Sequence, residues 1–235
     1  MECGMSEEIR RIKKRRGFKC AWLFVSLLLL SFFHPFSAVL DRLFPYFSGL
    51  VGTLLYTGLL VASIHALSDT RRHVWIAVFL ALPALVLIWI DGLVNLHSVK
   101  VGYLFFALLF VGYTVVRVVS FVLRGKEVGA DKIYGALSVY LLFGQGWALA
   151  YILVETMNPG SFVGLARPGV VDGVGSELIY YSFVTLTTLG YGDITPVSLT
   201  VRNLTVMEAV TGVLYIATLI ASLVATYKES NGRED

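Results

Sequence analysis

Two cysteines, four histidines and a charged fraction of 15% leave this 235-residue sequence short of the residue types that build most catalytic and metal sites. Each shortage excludes something. Cys3 and Cys20 stand alone, without the paired spacing of a zinc site or the density of a disulfide scaffold. His34, His65, His73 and His97 are scattered, and none has a second ligand nearby in sequence. The chain has no phosphate-binding glycine loop and no nucleophile constellation, so an enzyme reading has no residues to carry it and no cofactor is expected. The formal net charge is only +3, and the basic residues gather in one N-terminal run. Such a run can mean nucleic-acid binding. Beside an apolar span it is read here as a topology signal that touches anionic lipid, so no nucleic-acid partner is expected.

What the chain has in quantity is apolar sequence: 57% of its residues are hydrophobic and its mean hydropathy is +0.76. A helix crossing ~30 Å of hydrocarbon needs ~20 such residues. Six runs are read as spans, at 19–38, 47–67, 73–90, 101–123, 133–154 and 201–227. The first is read as a retained anchor, because Pro35-Phe36-Ser37-Ala38 makes a poor cleavage site. Arg10, Arg11, Lys13, Lys14, Arg15, Arg16 and Lys19 precede it; Arg71, Arg72, Arg124, Lys126, Lys132, Lys228 and Arg233 fall on the same side in a six-span arrangement. The opposite loops hold only Arg42, Lys100, Arg167 and Arg202. Both termini are therefore expected in the cytoplasm of a multi-pass plasma-membrane protein. Trp22, Tyr46, Trp75, Trp89 and Tyr103 lie near span ends, where an interfacial aromatic belt forms.

Between the last two spans stands Thr187-Thr188-Leu189-Gly190-Tyr191-Gly192-Asp193. A row of carbonyls that all face one axis is impossible in an ordinary strand, where alternate residues point to opposite sides. Positive φ is needed along the row, and Gly190 and Gly192 reach it without a Cβ clash. Upstream, 176–188 reads as a short half-helix with Ser176 as N-cap and Glu177 in its first turn. It is too short to span and fits a re-entrant element whose negative C-terminal end faces a cavity. Met157 to Gly175, with five glycines and Pro159 and Pro168, reads as a flexible extracellular turret.

This arrangement resembles the pore module of the tetrameric potassium channels, of bacterial six-span type, over roughly residues 131 to 228. Thr-x-Gly-Tyr-Gly is specific to that family's filter, in which rings of backbone carbonyls replace the water shell of K+. The resemblance implies ion-binding oxygens at Thr188, Leu189, Gly190, Tyr191 and Gly192, the metal being K+ on the carbonyls of Thr188 to Tyr191 and the Thr188 hydroxyl forming the innermost ring. Leu189 and Tyr191 side chains are expected behind the filter. Thr187, Tyr180, Asp193 and Glu208 are expected to support it, with a hydrogen bond from Tyr180 to Asp193 and Glu208 either bracing the half-helix or adding negative field near the cavity. Asp193, Pro196, Arg202 and Gly212 follow Gly192 with the family's spacing; Gly212 is either a gating hinge or a close-packing position. The sequence departs from the family at Leu189, where valine is usual, at Tyr180-Tyr181, where a tryptophan pair is common, and at Val184, where some bacterial pores carry glutamate. With one pore motif in the sequence and four loops needed per filter, a homotetramer is implied.

The expected fold is thus an all-α membrane protein of six transmembrane helices with a re-entrant pore helix and selectivity filter. Residues 1–18 form a basic cytoplasmic N-terminus, 19–124 a peripheral domain like a voltage sensor, 125–132 a linker, 133–227 the pore domain with filter 188–192 and inner helix 201–227, and 228–235 a cytoplasmic tail. Only Arg117 and Arg124 mark the fourth span. One charge crossing per subunit yields about 9 kcal/mol per 100 mV in a tetramer, a fraction of what strong sensors use, so weak or absent voltage gating is expected. Arg117 either snorkels to headgroups or finds Gln145 or a lipid phosphate. Glu155 either bonds the filter's rear loop or is exposed, Pro83 is expected to kink the third span, and His65, His73 and His97 are expected to be solvated. The function implied is passive potassium conduction; a less selective cation channel and a non-conducting regulatory membrane subunit are the alternatives.

Overall fold

Long runs of Leu, Val, Ala and Phe must satisfy their own backbone in a bilayer, and the helix does so within one segment. The computed structural model describes residues 19–43, 47–66, 71–94, 96–123, 130–165 and 171–231. The basic N-terminus with Cys3, residues 124–129 of the linker, Arg167, Pro168 and the last four residues lie outside them. The chain forms α1 (Lys19–Leu43), α2 (Phe47–Ala66), α3 (Arg71–Val94), α4 (His97–Leu123), α5 (Ala130–Met157), β1 (Phe162–Val163), α6 (Val171–Leu186), β2 (Thr195–Pro196) and α7 (Leu199–Asn231).

Among the described residues, four helices are long and apolar enough to cross a membrane: Arg71–Val94, His97–Leu123, Asp131–Met157 and Leu199–Ser222. The apolar stretches within α1 and α2 are shorter, Cys20–Phe33 and Leu50–Ala66. The protein is a multi-pass, almost wholly helical membrane protein.

α5 is the hub: α4, α1, α6 and α7 all lie against it. Leu23, Leu27 and Leu30 of α1, Leu59 of α2, Val111 and Val118 of α4, and Val139 and Leu142 of α5 form one buried cluster. A second joins Leu60 of α2, Ala77 and Ala81 of α3 and Phe110 of α4. α3 buries Ala77, Ala81 and Ala84 and exposes Trp75, Phe79 and Leu82. Small residues admit a neighbouring backbone while large ones face lipid, the usual division in membrane helices. α3 runs as helix through Pro83.

Asp131 and Lys132, assigned to the linker from sequence, lie in the first turn of α5. The Cys20 backbone N–H donates to Asp131 Oδ1 at 2.9 Å, so a carboxylate from α5 caps the start of α1. His73 is not simply solvated: it is half-buried and its Nδ1 lies 2.9 Å from the Tyr113 hydroxyl. That contact sets the register of α3 against α4. It places Arg117, one turn beyond Tyr113, near the level where α3 begins. Gln145 is not its partner, since Gln145 Nε2 donates to Ser31 Oγ at 3.2 Å while Arg117 Nε has no hydrogen-bond partner.

Candidate functional site: the loop between α6 and α7

α6 begins at Val171 and ends at Leu186, earlier at both ends than the 176–188 read from sequence. Ser176 therefore sits inside the helix and is not its N-cap. Gly173 and Gly175 belong to α6 and not to a turret. Burial explains the difference: Val174 and Leu178 enter a core with Tyr151, Phe162 and Tyr181, and this packing outweighs the weak helix propensity of glycine.

The C-terminus of α6 forms a Schellman cap. Leu189 N–H donates to the Val184 carbonyl and Thr188 N–H to the Thr185 carbonyl, both at 2.9 Å, with Thr188 at φ 58° in the left-handed position between them. Glycine usually fills that position. Gly190 (φ 58°) and Gly192 (φ 78°) repeat the left-handed conformation at every second residue. A backbone that alternates hand turns carbonyls that would face opposite sides of a strand toward a common side. Sequence reasoning placed positive φ at the two glycines and not at Thr188, whose left-handed backbone belongs to the helix cap and not to its residue type.

Around this loop the structure brings together most of the residues singled out. Tyr180 donates from its hydroxyl to Asp193 Oδ2 at 2.7 Å, and its ring stacks on Tyr191 at 6.5 Å. That hydrogen bond holds the Asp193 carboxyl below its ordinary range. Thr187 Oγ1 turns back to the Phe183 carbonyl at 2.7 Å. The Leu189 and Tyr191 side chains remain exposed on the single chain, the latter beside the Tyr180 ring.

Behind α6 lies a polar cluster in an apolar setting. Glu208 is fully buried; it accepts from the Tyr151 hydroxyl at 2.6 Å, and its Oε1 lies within hydrogen-bonding distance of Ser182 Oγ, which is also 2.8 Å from the Gly144 carbonyl. Thr205 donates to the Val201 carbonyl at 2.9 Å and so receives the Tyr181 hydroxyl hydrogen at 2.8 Å. Gly144 leaves room for the Phe183 ring, and Gly212 lets α7 approach the Leu186 carbonyl at the end of α6. α7 continues as helix through Gly212. Gly212 thus lies at a point of close helix packing.

The segment between α5 and α6 is stitched down and does not form a loose turret over 158–165. Glu155 is buried and accepts from the Gly160 and Ser161 amides at 2.8 and 2.9 Å, so it holds this segment and not the filter's rear loop. β1 pairs antiparallel with β2. Gly164, at φ 94°, lies against the Asp193 carbonyl where a Cβ has no room. On the far side, Arg202 Nε donates to the Pro196 carbonyl at 3.2 Å.

Residues 152–229 match the family model described as "Ion channel". A 92-residue stretch is 32% identical to "Two-pore potassium channel 3" of Arabidopsis thaliana. That stretch is 39% of this chain and 18% of the relative, so the chain matches less than a fifth of the plant protein's length. No solved structure matches. The family match begins on α5 and takes in α6, the Thr-x-Gly-Tyr-Gly loop and most of α7, so this loop lies inside the stretch that is similar to ion channels. Both matches are to channels.

Proposed function

We propose that this protein is the subunit of a potassium-selective, passive homotetrameric channel of the plasma membrane. The carrying observation is the alternation of left-handed backbone at Thr188, Gly190 and Gly192 within Thr-x-Gly-Tyr-Gly. In a tetramer, the carbonyls of Thr188, Leu189, Gly190 and Tyr191 from four copies would ring one axis and stand in for the water shell of K+. The negative end of α6 would face the cavity beneath, favouring a cation there.

The exposure of residues 187–193 supports assembly, because non-helical backbone at membrane depth survives only inside protein or along a water-filled cavity. Neighbouring copies would cover the Leu189 and Tyr191 side chains and the apolar face of α7 that carries Val206, Met207, Val210 and Val213. Counting α1 and α2 with the four candidate spans gives six, with both termini in the cytoplasm and anionic lipid beside the basic N-terminus. Arg117, at the level of the α3 start, favours weak or absent voltage dependence.

The test is the reversal potential of the purified protein in planar bilayers under a potassium–sodium gradient. A value at the potassium equilibrium potential is expected. A value near zero would replace this reading with a less selective cation channel, and no current from a verified tetramer would favour a regulatory subunit.

A further inference from the structure

Glu208 sits between α5, α6 and α7 with its carboxyl group sealed from solvent. It makes no ion pair among the described residues; its hydrogen-bond partners are Tyr151 and Ser182. The titratable groups facing it are Tyr151 and Tyr140 on α5 and Tyr181 on α6, none of them cationic.

The hydrogens around it can be counted. Tyr151 donates its single hydroxyl hydrogen to Glu208 Oε2 at 2.6 Å. Ser182 Oγ lies within hydrogen-bonding distance of two oxygens at once, Glu208 Oε1 and the Gly144 carbonyl. A serine hydroxyl has one hydrogen to give, a carbonyl has none, and an ionised carboxylate has none. With Glu208 ionised, one of those two close oxygen pairs would have no hydrogen between them, and a buried carboxylate would face two hydroxyl groups and no cation, at a high desolvation cost. With Glu208 protonated, Oε1–H donates to Ser182, Ser182 donates to Gly144, and every gap holds one hydrogen.

We propose that Glu208 is a proton-binding positioning residue: as a neutral carboxylic acid it ties Tyr151 of α5 to Ser182 of α6, one turn before α6 ends and the Thr-x-Gly-Tyr-Gly loop begins. Loss of its proton to hydroxide, forming water, turns Oε1 from donor to acceptor. Ser182 must then direct its hydrogen to Glu208 and release the Gly144 carbonyl, which removes a hydrogen bond between α5 and α6 behind the loop. The proton count stands by itself; its effect on ion flux rests on the channel reading above.

Infrared spectroscopy of the full-length protein in lipid at neutral pH tests the count directly. The expected result is a protonated-carboxyl carbonyl band that moves in D2O and is absent from Glu208→Gln. A wild-type minus Glu208→Gln difference that shows carboxylate bands instead overturns the proposal. Should Glu208→Gln fail to fold, Ser182→Ala supplies a second reading: removing the acceptor of the acid's hydrogen should move the band, and an unmoved band overturns the proposal. Potassium flux from proteoliposomes then reads the consequence. Wild-type flux should fall severalfold on going from neutral to alkaline pH, and Glu208→Gln should abolish that fall; equal alkaline loss in both refutes the positioning role. Absence of flux in both at every pH would instead count against the channel reading, with the infrared result still deciding the protonation.

Discussion

Three residues on the loop between α6 and α7 adopt a conformation that side chains resist, and that resistance is measurable. A Cβ at φ 78° costs about 1–2 kcal/mol, so Gly192→Ala is expected to eliminate potassium current while leaving the protein expressed and helical, read by electrophysiology beside circular dichroism. Tyr180→Phe removes one hydrogen bond to Asp193. Shortened open lifetimes are expected; unchanged lifetimes would remove Tyr180 from the filter's supports. The same bond fixes a pH response. Because the folded Asp193 carboxyl is held below its ordinary range, its stabilising contact is complete above the ordinary aspartate value of ~3.9 and is lost only as pH falls through the lower folded value. Current should withstand moderate external acid, and Tyr180→Phe should move the acid loss to higher pH. Gly190 and Gly192 were legible in sequence because their backbone freedom is their own, and the Tyr180–Asp193 pair only through the family resemblance. The left-handed backbone of Thr188 was not legible: it comes from hydrogen bonds that Leu189 and Thr188 send back to Val184 and Thr185.

At the scale of elements, the boundaries of α6 depend on tertiary contacts. Local signals start it at Ser176, yet it starts at Val171, because Val174 completes a core that includes Phe162 and Val201, residues on either side of the loop. Glu155 was ambiguous for the same reason, since its acceptors' partners, Gly160 and Ser161, are turn amides whose position no periodicity encodes. Gly212 is where α7 meets the end of α6. Gly212→Val would drive a side chain into the Leu186 carbonyl, and overpacking of this kind costs about 1–3 kcal/mol. A lowered melting temperature of the detergent-solubilised protein is expected, whereas an unchanged melt with altered gating would restore the hinge reading. Helix identity was plain from hydropathy throughout; helix pairing, such as the Asp131 cap on α1, was invisible because it joins residues far apart in sequence.

For the whole molecule, the proposed tetramer predicts a mass of four chains by native mass spectrometry in detergent, and a conductance that varies little with voltage. A steep conductance–voltage curve would mean that Arg117 moves far more charge than its level beside the start of α3 allows. The packing of α4 and α1 on α5 belongs to one chain, so these helices rest on α5 of their own protomer. Biogenesis follows from that. A newly inserted protomer can complete these contacts before it meets a second copy, leaving only the loop and the inner helix to be finished by assembly. A mixed oligomer of intact and impaired chains should therefore mature normally up to that last step, and its defects should be confined to the pore.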